Sequence, residues 1–97
     1  MSLNNRQLRF LRGLSHDLHP VVMVGDKGLS ESVLGEIDTA LEHHELIKVR
    51  IRADREQRKE WMEHIAEHCD AERVHAIGQV ACYYRRNPEQ PTLELPA

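Results

Sequence analysis

Residues 20–52 read PVVMVGDKGLSESVLGEIDTALEHHELIKVRIR, and the order of patterns in this stretch leaves few folds open. A short apolar run, a turn between two glycines, a helical stripe and an alternating run follow one another with almost no connector. Pro20 and the VVMV behind it read as a strand buried on both faces, ended by Gly25. Ser30 is placed as a helix N-cap, with Leu29 and Leu34 spaced as a hydrophobic staple. Val33, Leu34, Ile37, Ala40 and Leu41 supply the apolar stripe of that helix. After the polar turn HHE, Ile47, Val49 and Ile51 alternate with Lys48, Arg50 and Arg52, which describes a strand with one apolar face and one wet, basic face. Strand, helix and strand in this order pair in parallel through a right-handed crossover.

The flanks extend the pattern. Leu8, Leu11 and Leu14, with Phe10 at the margin, fall on one arc of a helix from Asn5 to Ser15, and Arg6, Arg9 and Arg12 project from the other arc. Asp54 and Gln57 have the spacing of a capping box ahead of a helix whose stripe is Trp61, Met62, Ile65, Ala66 and Cys69, ending near Asp70. RVHAIG and QVACYYRR form a hairpin about Gly78 and Gln79. The predicted fold class is therefore α/β, an α+β two-layer arrangement in the order α-β-α-β-α-β-β with a four-stranded mixed sheet. In its simplest form the first three strands pair in parallel, the last returns antiparallel, and two crossover helices share one face. Lys48, Arg50 and Arg52 then belong on the other face or at an edge, since three unpaired cations cannot be buried against helices. Residues 1–88 make one domain, and residues 89–97, with three prolines from Pro88 onward, form an extended or loosely docked tail in which Leu93 and Leu95 are the docking side chains.

With 97 residues there is one modest core and no room for a separate substrate domain. No run approaches the roughly 18 apolar residues of a membrane span, and the first residues lack a secretion layout, so the expected location is the cytoplasm. Met1, Ser2 and Leu3 fit either a native start or a cloning remnant. Cys69 and Cys82 sit in apolar patterns as buried thiols, in keeping with a reducing compartment. The net charge of −3 argues mildly against a nucleic-acid binder, but the charges are sorted. Residues 31–45 and residues 60–72 each carry five acids and no base, whereas residues 48–59 carry six bases against two acids. Such a chain can show one basic face while its other surfaces stay acidic, although acidic helices are also ordinary solvated faces.

GDKG is neither a Walker loop nor a three-glycine dinucleotide fingerprint. In many strand-to-helix turns such glycines only permit positive φ; here the position, just before a capped helix, gathers backbone amides and Lys27 on one side, a combination that suits a phosphate. Asp26 opposes it unless it points away. His64 and His68 stand four apart beside Cys69, but Ile65 occupies the place where a zinc protease carries glutamate, and no third ligand stands at a recognisable spacing. No serine or cysteine lies in a motif that marks an activated nucleophile. The expectation is no enzyme, no metal and no cofactor. The aromatics are only Phe10, Trp61, Tyr83 and Tyr84, and the marker of a base-stacking RRM sheet is absent. For an RNA ligand, backbone and shape should then matter more than bases, with Tyr83 or Tyr84 free to stack one base and the other in the core.

The run PVVMVGDKGLSESVLGEIDTALEHHELIKVRI, followed by VHAIGQVACYYRRNP, resembles the CRM domain and in particular the small bacterial YhbY proteins, from about Asn5 to Pro88. The resemblance implies an RNA-binding domain, related in fold to the C-terminal domain of bacterial translation initiation factor 3 and associated with precursors of the large ribosomal subunit. It places the family's GxxG loop on Gly25, Asp26, Lys27 and Gly28, with Arg6, Arg9, Arg12, Lys48, Arg50 and Arg52 as the basic surface beside it. It implies RNA as partner; from the residues themselves, the acidic helices suggest a further contact with a basic ribosomal protein, and the missing long apolar run predicts no membrane partner. The net charge departs from the family's more basic tendency. On the residues alone two other classes stay open: a protein-binding adaptor that uses the acidic helices, and a metal protein or enzyme built around His64 and His68.

Overall fold

Asn4 opens the first helix with a reciprocal pair of bonds: its side chain accepts from the Gln7 amide at 2.8 Å, and its own amide donates to the Gln7 side chain at 3.1 Å. The computed structural model describes residues 3–97; Met1 and Ser2 lie outside it. The elements are α1 (Asn5–Ser15), β1 (Pro20–Val24), α2 (Glu31–His44), β2 (Leu46–Ile51), α3 (Arg55–His68), β3 (Glu72–Ile77) and β4 (Val80–Tyr84). This is the order expected from the patterns. Ser30 caps α2 by accepting from the Val33 amide at 3.2 Å. Asp54 caps α3 from the Gln57 amide at 2.9 Å, but the Gln57 side chain turns to Glu60, so the second half of the expected capping box is not made.

The four strands lie in the order β1-β2-β4-β3. β1 and β2 pair in parallel, and β4 is antiparallel to both β2 and β3. The direct pairing of β3 with β2 expected from the sequence is therefore not formed, although β3 does run in the same direction as β1 and β2. The cause is the two-residue turn at Gly78 and Gln79, with φ of +54° at Gly78. It makes β3 and β4 neighbours, and β4 then offers its second edge to β2.

The two sheet faces carry separate clusters. Val22, Val24, Ile47, Val49, Ile51, Ala81 and Tyr83 meet Leu34, Ile37 and Leu41 of α2 and Met62, Ile65 and Cys69 at α3. Each such aliphatic side chain contributes about 1.5–3 kcal/mol when fully buried. On the opposite face Leu11 of α1 packs with Leu46, Val74, Cys82 and Tyr84, flanked by half-buried Leu8, Leu18, Leu93 and Leu95. Both adjacent tyrosines are thereby in the core, one on each face, and the Tyr83 hydroxyl donates to the Met62 carbonyl at 2.8 Å. Neither is free to stack a base, against the sequence expectation. Cys69 and Cys82 are buried free thiols on opposite faces, and burial pushes both pKa values up.

β1 is not buried on both faces. Val22 and Val24 are buried, but Val21 is 51% and Met23 54% exposed. α1, 11 residues long, is anchored over Leu46, Cys82 and Tyr84 and leaves this part of its face uncovered.

The tail is tied down by a residue that no pattern in the chain singles out. Glu45 follows α2 with φ of +61° and is fully buried. Its carboxylate accepts from the amides of Asn87 at 2.6 Å, Thr92 at 2.7 Å and Leu93 at 2.8 Å, and from the Thr92 hydroxyl at 2.9 Å. Burial alone would raise its pKa, but these bonds together outweigh it and hold the pKa below the ordinary carboxylate value. Among the described residues no helix is long and apolar enough to cross a membrane.

Candidate nucleic-acid interface

The turn Gly25–Gly28 is closed by the Gly28 amide donating to the Gly25 carbonyl at 2.9 Å. Its two glycines have different physical standing. Gly28 has φ of +70°, and a Cβ there would stand 3.0 Å from Cζ2 of Trp61, so both backbone and space demand glycine. Gly25 has no positive φ and nothing within 4 Å of a Cβ position. Folding alone therefore does not require glycine at 25. Asp26 and Lys27 are exposed at the tip of the turn, and the capped start of α2 follows.

Strand register decides which cations meet this turn. The Arg52 amide donates to the Val24 carbonyl at 2.9 Å, beside Gly25, and Met23 of β1 is the register partner of Arg50. The hairpin turn joins the same end of the sheet, since the Ile51 amide donates to the Gln79 carbonyl. Lys48, half-buried, lies one row further in, opposite Pro20 and Cys82. Arg50 and Lys48 are on the α1 face, as expected for cations that the crossover helices cannot accept.

Arg6, Arg9 and Arg12 on α1 are exposed on that same side of the sheet, but their helix is anchored over the far rows at Leu46 and Tyr84, away from the glycine turn. Arg12 also differs from a free surface cation, because its Nε donates to the Val74 carbonyl of the edge strand at 2.9 Å. The structure thus groups the turn with Arg50 and Arg52, sets Lys48 next to them, and leaves the α1 arginines as a separate flank. It adds Arg55 and Arg58, at the start of the helix whose Trp61 packs on Gly28; the Arg58 guanidinium donates to the Ala53 carbonyl at 3.1 Å. Both belong to the basic run at residues 48–59, a signal present in the sequence; the packing of Trp61 on Gly28 is what brings their helix against the turn.

Asp26 is the one carboxylate within the turn itself; the clustered carboxylates of the helices are elsewhere. Glu36, Asp38, Glu42, Glu63 and Glu67 are exposed on α2 and α3, which cover the face opposite to Lys48 and Arg50. Both salt bridges among the described residues are made by Arg85, to Asp38 at 2.6 Å and Glu42 at 3.3 Å. The cations at the glycine turn, on β2 and on α1 thus have no carboxylate holding them. His64 and His68 stack with ring centroids 5.9 Å apart, and among the described residues no group of three or more His, Cys, Asp or Glu side chains could hold a metal ion.

Fold and site together define a class: a small α+β domain with a cation-bearing sheet end, closed on a glycine turn, and with acidic helices on the opposite face. The chain belongs to the CRS1/YhbY (CRM) domain family, whose model matches residues 3–85. It is 45% identical to an RNA-binding protein of Haemophilus influenzae, over 98% of this chain and 96% of that protein. It is 37% identical to a Pseudomonas aeruginosa protein named a probable RNA-binding protein, over 92% of this chain and 86% of the relative. The solution structure of a Staphylococcus aureus protein, described as a candidate RNA binder, superposes with a TM-score of 0.82 at 35% identity, covering 98% of this chain and 100% of that one. The tail residues that Glu45 anchors lie beyond the residues matched by the family model.

Proposed function

We propose that this protein is a cytoplasmic RNA-binding accessory factor that contacts structured ribosomal RNA in precursors of the large subunit, without catalysis and without a cofactor. The observation that carries the reading is the coincidence at one sheet end of a glycine that folding does not require with cations that form no salt bridge, Asp26 being the one opposing charge in the turn. Glycine at 25 lets a sugar-phosphate backbone approach the turn closely, and Lys27 with the amides before α2 attracts its phosphate. Arg50, Arg52 and Lys48 extend the attraction over the sheet end, with Arg6, Arg9 and Arg12 as an outer flank, and binding releases counterions from the RNA. The relatives named for RNA binding support the ligand class. The acidic α2 and α3 faces stay away from RNA and are free to meet a basic ribosomal protein.

Lys27→Asp reverses the one attractive side chain of the turn at an exposed position. Affinity for protein-free large-subunit ribosomal RNA should fall severalfold while the melting temperature stays within about a degree. Equal affinity of both proteins would make the turn purely structural. Binding to assembled particles but not to protein-free RNA would instead favour a protein-binding adaptor.

A further inference from the structure

The register of the sheet aligns Met23 with Arg50, Arg50 with Val80, and Val80 with Ile77. Register partners point to the same face, so these side chains form one row across all the strands, on the face that carries α1. The next rows, through Lys48 and Cys82 and through Leu46 and Tyr84, lie at or beneath α1 and the tail; the end row does not. Met23 is 54% and Ile77 67% exposed, Arg50 is exposed and Val80 half-buried. Along β1 the row continues to exposed Val21 and a groove of about 460 Å³ that Val21 shares with Leu14, Leu18 and Lys48. Gly25 begins two residues after Met23, and Arg52 follows two residues after Arg50, so the glycine turn borders this shelf.

We propose that the shelf Met23–Arg50–Val80–Ile77 receives unpaired nucleobases of the RNA whose backbone is held at the glycine turn. This rests on the RNA-binding reading and adds the class of RNA to it: a structured RNA with at least one base out of its helix. The partner must offer flat apolar surface to methionine, valine and isoleucine and negative charge to Arg50, Arg52, Lys48 and Lys27. A strand with extruded bases offers both, while a regular duplex keeps its base faces stacked inside and offers phosphates, 2′-hydroxyls and base edges but no flat apolar surface. The planar guanidinium of Arg50, with no carboxylate partner, is suited to stack on a base. The shelf thus takes the place of the aromatic platform that the burial of Tyr83 and Tyr84 removes.

The test compares two RNA strands of equal length and charge, one carrying its bases and one with abasic sites at the positions nearest the bound phosphates. Both are titrated with the native protein, Met23→Ser, Ile77→Ser and Lys27→Asp; Met23 and Ile77 are exposed, so the fold is not at stake, and melting curves check this. The native protein should prefer the base-bearing strand about tenfold or more, in line with the usual value of one stacked base. Met23→Ser and Ile77→Ser should erase most of that preference and leave the abasic affinity unchanged. Equal native affinity for both strands, with a loss for Lys27→Asp, overturns the shelf and leaves the phosphate reading standing. No measurable affinity for either strand, or for the ribosomal RNA itself, overturns the RNA reading. If the serine variants keep the full base preference but lose a ribosomal protein in particle pull-downs, the shelf is a protein-docking surface and the proposal fails.

Discussion

At the scale of single residues, the two glycines of GDKG are indistinguishable in sequence and opposite in structure. Gly28→Ala forces a side chain into φ of +70° and against the Trp61 ring at 3.0 Å. The left-handed backbone alone costs about 1–2 kcal/mol, and displacing an indole ring adds to it. A thermal melt should show a drop of at least about 4–8 °C, the shift per kcal/mol in a domain of roughly this size. Gly25→Ala has ordinary φ and open space, so it should leave the melting temperature unchanged or raise it slightly by narrowing the unfolded ensemble. Its RNA affinity should nevertheless fall, because the added methyl stands where the ligand backbone approaches. A stability loss at 25, or unchanged binding, would contradict that role. The spacing of the glycines was legible in the sequence; their inequality was not, because it is set by a tryptophan from a helix much later in the chain.

At the scale of elements, helix starts were readable and edges were not. Ser30 and Asp54 cap the helices they were expected to cap, because a cap is a contact across three residues. Whether β4 or β3 lies beside β2 depends on which edge a finished hairpin offers, and alternation within a strand carries no such information. The same holds for the shelf: Met23 is apolar and reads as core, and only the length and placement of α1 expose it. Glu45 is the clearest case, a carboxylate in an acidic run whose work is to hold the tail through bonds to residues more than forty positions away. Its folded pKa is lowered, so the unfolded chain binds the proton more readily and the stabilisation is fully present above the unfolded value, near 4.5. It is lost as pH falls through the lower, folded pKa. Glu45→Gln keeps the shape but loses the charge, and should cost about 1–3 kcal/mol at neutral pH, as for hydrogen bonds to a buried ionised group. It should also flatten the stability profile in this acidic window and speed tryptic cleavage after Arg86. A variant as resistant to trypsin as the native protein would show that the leucines, and not the carboxylate, hold the tail.

At the scale of the whole molecule, net charge is a poor guide to what the surface attracts. The value of −3 conceals a separation, with acidic clusters on α2 and the later part of α3 and most unpaired cations on the other sheet face and at the turn, that is already visible in the charge runs of the sequence. With about tenfold assigned to the shelf, the larger share of the affinity is left to phosphates. If roughly four to six cations meet phosphates, the logarithm of the binding constant should fall with the logarithm of salt with a slope of about −3 to −5. Arg52→Ala should flatten that slope by about one and also weaken binding to unrelated structured RNAs; a salt-independent affinity would sink the electrostatic scheme. An RNA footprint should leave Glu36, Asp38, Glu42, Glu63 and Glu67 unprotected. The packing of Trp61 on Gly28 has one more consequence, because it is the one tryptophan of the chain. Its indole lies under the turn and is half-exposed, so a phosphate or a base settling there changes the polarity around the ring. The molecule therefore carries its own optical gauge: emission excited at the indole band should report occupancy of the turn directly, with no dye attached and no other tryptophan to obscure it.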